Sequence, residues 1–339
     1  MDEHTEVVAA NTRVVTARRY RADGKFDELD AIEPSTAVSE VSSPGDGFLW
    51  IGLVDPPSAE LEQLRRGLGL HVLAVQDAET GRQQPKVQWF DGQLFVVLWA
   101  LHPRESRIDT TVSEVYLFAR DGLLVSVERT AGGRRLGVAD VLSAADPEIL
   151  GMGSLGGVHA VVAAAVRGYL AVGASIEDEL EALEDQVFDA DQRNDALRIY
   201  NLRRQIGKVD RAVSALATTF ASSQTKLEDY AARQPALVPY VLDVIEDLSS
   251  AARLTADQDA ALDGVISTHE NSIQIQQNID SRKISAVAAL LAIPAVVSGL
   301  YTIPNIPGST LPYNWVLAVA VILGLEVWAF LTLRQHGWL

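Results

Sequence analysis

Up to about residue 150 the chain alternates short apolar runs with turns. Residues 48–53 (FLWIGL), 94–101 (LFVVLWAL), 112–118 and 123–127 (LLVSV) are bounded by Gly-Asp, Asp-Gly or Pro, and this predicts four strands. Residues 58–68 and the stretch around Leu73 and Ala78 have helical spacing instead. Ser58, which follows Pro56-Pro57, is the expected cap of the first helix. The mixture predicts an α/β domain over residues 1–155, with too few uninterrupted strand–helix repeats for a barrel.

From Val158 the strand signal stops. Residues 159–187 carry heptad-like apolar positions at Val166, Leu170, Ile176, Leu180, Leu183 and Val187, on an increasingly acidic background. Residues 195–225 carry a second set at Leu197, Ile199, Leu202, Ile206, Val209, Val213 and Leu216. Helices of this kind make up an expected stalk segment over residues 156–240. After a break at Pro235 and Pro239, residues 241–283 contain no Pro and the single glycine Gly264, and then enter an apolar segment with no turn signal. One helix over 241–301 would have about 60 residues and be about 90 Å long. Such a helix needs lateral neighbours, most simply copies of itself.

Charge changes the picture at the C-terminal end. Between Ile284 and Leu325 there is no Asp, Glu, Lys or Arg. A bilayer-spanning helix takes about 20 apolar residues, so the stretch holds two, over residues 284–301 and 313–333. The joining segment 302–312 (TIPNIPGSTLP) has three prolines and a glycine, which break a helix. Arg282 and Lys283 before the pair, and Arg334 in the tail 334–339, put both flanks in the cytoplasm by the positive-inside rule. The opening MDEHTEVVAANTR lacks the apolar core of a signal peptide. The expectation is a multi-pass protein of the inner (plasma) membrane, with N- and C-termini cytoplasmic and 302–312 as an extracellular loop.

The 339 residues include 28 basic and 45 acidic side chains, net charge −17, and no Cys. Disulfides, thiolate metal sites and Cys nucleophiles are excluded together. The acid excess argues against nucleic acid as a partner and favours cations. Residues 177–195 hold nine acids against one base, Arg193; this fits a solvated helix face or an acidic collar that gathers cations. Glu326 falls within the second span, where a carboxylate is costly and is expected to contact the first membrane helix or to snorkel. Gly151-x-Gly153-x-x-Gly156 matches a dinucleotide fingerprint, but no strand precedes it, so it reads as a loop entering a helix. The six histidines lack ligand spacing and no nucleophile–base motif occurs. The chain does not read as an enzyme.

Several segments, taken in order, resemble one family. They are Trp50, Asp55-Pro56, His71-Val-Leu-Ala-Val-Gln-Asp77, Pro85-Lys86-Val87 and Phe95-Val96-Val97-Leu98, then Pro239-Tyr240-Val-Leu-Asp243-Val-Ile-Glu-Asp247. Next come Gln277-Asn278-Ile-Asp-Ser-Arg282-Lys283-Ile284-Ser285-Ala286, Pro294 with Gly299-Leu300-Tyr301, and Gly337-Trp338-Leu339. Together they resemble the CorA-type magnesium transporters. The resemblance implies an α+β cytosolic domain, a long helical stalk and two C-terminal transmembrane helices, assembled in the lipid bilayer as a homopentamer. It also implies transport of divalent cations, with Mg²⁺ as cargo and regulatory ion and Co²⁺, Ni²⁺ and Zn²⁺ as further candidates.

The same resemblance assigns roles to residues. Asp77 and Asp243 match the pair that holds a regulatory divalent cation between subunits, with Gln76 where the family usually has Glu. A further family acidic pair is Arg167-Gly168 here. Asn278 matches a ring of carboxamides near the cytoplasmic entry of the pore, suited to a hydrated cation. Ser281, Ile284, Ser285 and Tyr301 follow along the pore, and Thr302, Ile303, Pro304 and Asn305 lie at its outer mouth. The family's Gly-Met-Asn after the Tyr is replaced by Thr302-Ile303-Pro304, in an uncharged loop whose Ile306-Pro307-Gly308 is closer to the zinc-transporting branch. Three functions remain open: a divalent-cation channel, a channel of relaxed or altered selectivity, and a non-conducting scaffold or sensor.

Overall fold

The computed structural model describes residues 16–29, 47–103, 110–187, 195–232, 234–301 and 313–338. The expected loop 302–312, with Thr302, Ile303, Pro304 and Asn305, lies outside the described residues, as does Arg193. The chain forms two units, Met1–Gln186 with Asp191–Asp263, and Val187–Ala190 with Gly264–Leu339.

The first unit is built on a seven-stranded sheet. Its strands are Thr16–Tyr20 (β1), Phe26–Leu29 (β2), Phe48–Val54 (β3), Lys86–Phe90 (β4), Gln93–Pro103 (β5), Thr110–Arg120 (β6) and Leu123–Arg129 (β7). Their order is β2-β1-β3-β7-β6-β5-β4. All neighbours are antiparallel except β3 and β7. A parallel pair needs a long crossover, and here it contains helices Ser58–Leu68 (α1) and Val72–Thr80 (α2). β3 and β7 are buried at every residue but the last of each strand, which suits strands covered on both faces.

Three strands, β1, β2 and β4, go beyond the four expected from apolar runs. Their sequences TARRY, FDEL and KVQWF carry polar residues on the open side. One expectation is corrected: Ser58 does not cap α1. Pro57 occupies the N-cap with extended backbone, Ser58 is already helical, and no side chain caps the end. Leu61, Leu64 and Leu68 of α1 and Ala74, Val75 and Ala78 of α2 pack with Leu49, Phe95, Tyr116 and Phe118 of the sheet.

Helices Val138–Ala144 (α3) and Pro147–Gly151 (α4) lead into Ser154–Val187 (α5). The glycine motif is therefore a helix-to-helix turn. A Cβ on Gly156 would lie 1.9 Å from the Ile149 carbonyl oxygen, so the turn closes only around a glycine. Asp195–Ser222 (α6) and Gln224–Ala231 (α7) replace the single expected helix 195–225, because the chain turns at Ser223. Leu170 and Leu197, placed in the apolar stripes by spacing, are exposed. A 3-10 turn, Pro235–Leu237, precedes the 64-residue helix Val238–Tyr301 (α8). Pro239 does not delay it, since first-turn amides have no helical acceptor to lose.

Among the described residues, three helices are long and apolar enough to cross a membrane. One, Ser154–Asp185, is mostly buried within the first unit. The other two are the C-terminal part of α8 and the helix Asn314–Gln335 (α9). In the second unit their apolar side chains stand open: Ile284 is 71% and Leu291 70% exposed. Along α9, the partly covered residues among those described are Ala318, Ile322, Glu326, Ala329, Thr332 and Leu333, which recur at helical spacing.

Candidate functional site

Asp77 lies near the end of α2. The helix is anchored at its start, where the His71 amide donates to Gln93 Oε1 at 3.0 Å and the His71 ring stacks on Phe90 at 4.1 Å. It is anchored at its end by Arg129, which donates to the carbonyls of Ala78 and Pro56. With Ala74, Val75 and Ala78 facing the core, Asp77 comes to the margin of the buried face. There Lys86 Nζ, from β4, meets Asp77 Oδ2 at 2.6 Å. The aspartate side chain is 25% and the lysine 24% exposed. Oδ1 has no partner among the described residues. Gln76 is exposed beside it.

Asp243 is exposed on the first turns of α8 and has no hydrogen bond or ion pair among the described residues. His159, from α5, stands close by, its ring edge-on to Tyr240 at 5.5 Å. Neither ring nitrogen finds a hydrogen-bond partner. Burial holds this imidazole below its ordinary pKa; Asp243 and Asp247 oppose the shift and Arg167 adds to it. Within the chain no hydrogen bond or ion pair joins Asp77 to Asp243. Among the described residues no group of three or more His, Asp or Glu is placed to hold a metal. Carboxylate oxygens of this kind suit Mg²⁺, so the residues fit a divalent ion once a second carboxylate arrives from elsewhere.

The candidate pore residues Asn278, Ser281, Ile284 and Ser285 are all exposed on α8. At about 100° per residue, Asn278, Ser281 and Ser285 fall within an arc of about 60°, and Ile284 about 60° beyond. Ser285 Oγ donates to the Ser281 carbonyl at 2.8 Å. Tyr301 is the last residue of α8; its side chain, like Thr302 to Asn305, lies outside the described residues.

The acidic run is partly tied down. Arg198 of α6 donates to Glu179 Oε1 at 2.8 and 3.0 Å, and Gln258 of α8 donates to Glu177 Oε2 at 3.1 Å. Asp178, Glu181, Glu184 and Asp185 face solvent. Residues 188–194 of the run are outside the described residues. Spacing along the chain does not point to Lys86 as the partner of Asp77, although it stands in a quoted motif. Nor does it point to His159 beside Asp243, because an isolated histidine has no spacing signal.

The family profile for the CorA-like Mg²⁺ transporter protein matches residues 45–335. The cobalt/magnesium transport protein CorA of Methanocaldococcus jannaschii is 22% identical over 320 residues, covering 91% of this chain and 96% of that protein. The protein of the same name from Thermotoga maritima is 20% identical over 308 residues, covering 86% and 83%. The complete structure of the M. jannaschii CorA magnesium transporter has a TM-score of 0.76 at 19% identity, covering 96% of this chain and 98% of that one. That likeness establishes the fold: a sheet domain, a long helix and an apolar helical pair. The profile match takes in β3 to β7 of the sheet, the long helix and α9, and the family is one of transporters, not enzymes. By that match this chain belongs to the CorA-like Mg²⁺ transporter protein family.

Proposed function

We propose that the protein is a homopentameric, multi-pass membrane channel for divalent cations, Mg²⁺ first among them, with both termini in the cytoplasm. The observation that carries this reading is the apolar surface of α8 and α9, left open where Ile284 and Leu291 stand free. Lipid and further copies of the chain are the covers such a surface calls for. The arc of Asn278, Ser281 and Ser285 supplies oxygen groups to a central axis, where they would contact the water shell of a hydrated ion. The relatives named for cobalt and magnesium support the choice of ion.

Asp77 and Asp243 form the regulatory site, each from a different subunit. Val72 and Leu73 on the exposed side of α2 are 55% and 53% exposed, and Leu242, beside Asp243, is also open. Apolar rims of this kind, covered by a neighbouring subunit, would strip water from the carboxylates. Two carboxylates brought together repel, and a divalent cation relieves the repulsion. The replacement of Gly-Met-Asn by Thr302-Ile303-Pro304 favours a second reading, a channel of relaxed selectivity or a non-conducting scaffold.

Mass measurement of the detergent-solubilised protein should give five copies; a stable monomer or dimer overturns the assembly. Uptake of Mg²⁺, Co²⁺ and Zn²⁺ into liposomes bearing the pentamer separates the remaining readings. Uptake supports conduction, and a pentamer that passes none of the three ions is a scaffold or sensor.

A further inference from the structure

We infer that Lys86 is a tethered counter-ion that competes with the divalent cation for Asp77, and so sets the ion concentration at which the subunit contact closes. The inference rests on the reading of Asp77 and Asp243 as an intersubunit cation site. Its own basis is the ion pair within one chain: Lys86 Nζ sits 2.6 Å from Asp77 Oδ2, with three-quarters of each side chain covered. The lysine is held from below, because its strand is in register with β5 through Lys86 and Val97. Its ammonium also lies 5.9 Å from the Phe95 ring centroid.

Charge arithmetic gives the direction. With Lys86 in place, the two aspartates and the ammonium sum to −1, and a bound Mg²⁺ leaves +1. Without the ammonium, the two aspartates sum to −2 and the same ion neutralises them. An ion approaching the free Oδ1 therefore meets a fixed like charge on the far oxygen, or must displace it. Either event weakens binding. An ammonium is a compact, strongly hydrated point charge and suits this exchange better than a guanidinium fork, which would hold both oxygens. Lys86 thus keeps the carboxylate occupied when the cation is scarce and yields it when the cation is abundant.

The test uses the full-length protein in detergent and reads protection from limited proteolysis across a Mg²⁺ series. Wild type should become protected as Mg²⁺ rises, and Asp243→Asn should lose that response. Lys86→Met, which keeps the stem and removes the charge, should move the midpoint to about fivefold lower Mg²⁺, the scale of a partly screened ion pair. Lys86→Arg should keep the wild-type midpoint or raise it. If Asp243→Asn is protected like wild type, the intersubunit site itself is wrong. If Asp243→Asn loses protection while Lys86→Met keeps the wild-type midpoint, the site stands and the competition by Lys86 is overturned. Lys86→Gln is read by the same midpoint should Lys86→Met prove poorly folded.

Discussion

The indole N–H of Trp50 on β3 donates to the hydroxyl of Ser126 on β7 at 3.0 Å, inside the sheet domain. Register places Gly52, two residues along from Trp50, opposite Ser126. The tryptophan ring lies across that glycine: a Cβ on Gly52 would come within 2.5 Å of Cζ2. This contact holds together the one parallel pair in the sheet. Gly52→Ala is expected to cost about 1–3 kcal/mol through overpacking. Ser126→Ala should cost about 1–3 kcal/mol by leaving the buried N–H unpaired. Thermal melting of the full-length protein checks both; a Gly52→Ala protein that melts like wild type would mean the ring has another place to go.

Acid should loosen the first unit. The imidazoles of His102 and His159 are held below the ordinary 6.5, chiefly by burial. Arg134 assists at His102; Arg167 assists at His159, where Asp243 and Asp247 oppose. These groups stay neutral in the folded state while the unfolded chain takes up protons. Their stabilisation is present above about pH 6.5 and is lost as pH falls through the lower folded values. Glu128 has the opposite sign, since burial raises its carboxyl despite the amides of Gly137 and Val138. Melting temperature should drop on acidification below about pH 6.5. His159→Phe and His102→Gln together should flatten the drop, and an unchanged profile would refute the assignment.

If residues 302–305 form the outer mouth of the proposed channel, selectivity there should be poor. Thr302 brings a β-branched side chain and Pro304 lacks both an amide side chain and a backbone donor, where the family motif has Gly and Asn. Mg²⁺ uptake is expected with weak discrimination against Co²⁺ and Zn²⁺ and little block by hexaammine cobalt, which mimics hydrated Mg²⁺. Replacing Thr302-Ile303-Pro304 with Gly-Met-Asn should raise both selectivity and block in liposome flux. Strong block of the unaltered protein would shift the determinant to Asn278.

Glu326 shares the partly covered stripe of α9 with Ile322 and Ala329. Glu326 makes no side-chain hydrogen bond among the described residues, and its place on that stripe leads us to expect one to a neighbouring membrane helix in the assembled protein. Glu326→Gln should therefore stay close to wild-type stability, while Glu326→Leu should lose about 1 kcal/mol. Unfolding midpoints in detergent decide it. A gain with leucine would mean that the side chain faces lipid.

By itself the sequence determined the elements whose hydrophobic pattern is self-sufficient. The apolar runs of β3, β5, β6 and β7, the stripes of α5 and α6, and the uncharged stretch from Ile284 to Leu325 all carry their own signal. So does the course of α8 into its apolar end, because residues 241–283 hold no Pro and no turn signal precedes Ile284, although the helix then continues through Pro294. Only the tertiary structure decided the rest. The strands β1, β2 and β4 are too polar to declare themselves and exist through pairing to neighbours with exposed backbone groups. Leu170 and Leu197 obey the helical period yet stand in solvent, since the period marks a face but not what covers it. Asp77 and Asp243 were legible as carboxylates in recognisable motifs. The ammonium that occupies Asp77 comes from a separate strand nine residues on. Its arrival there depends on how that strand docks, and spacing along the chain does not encode docking.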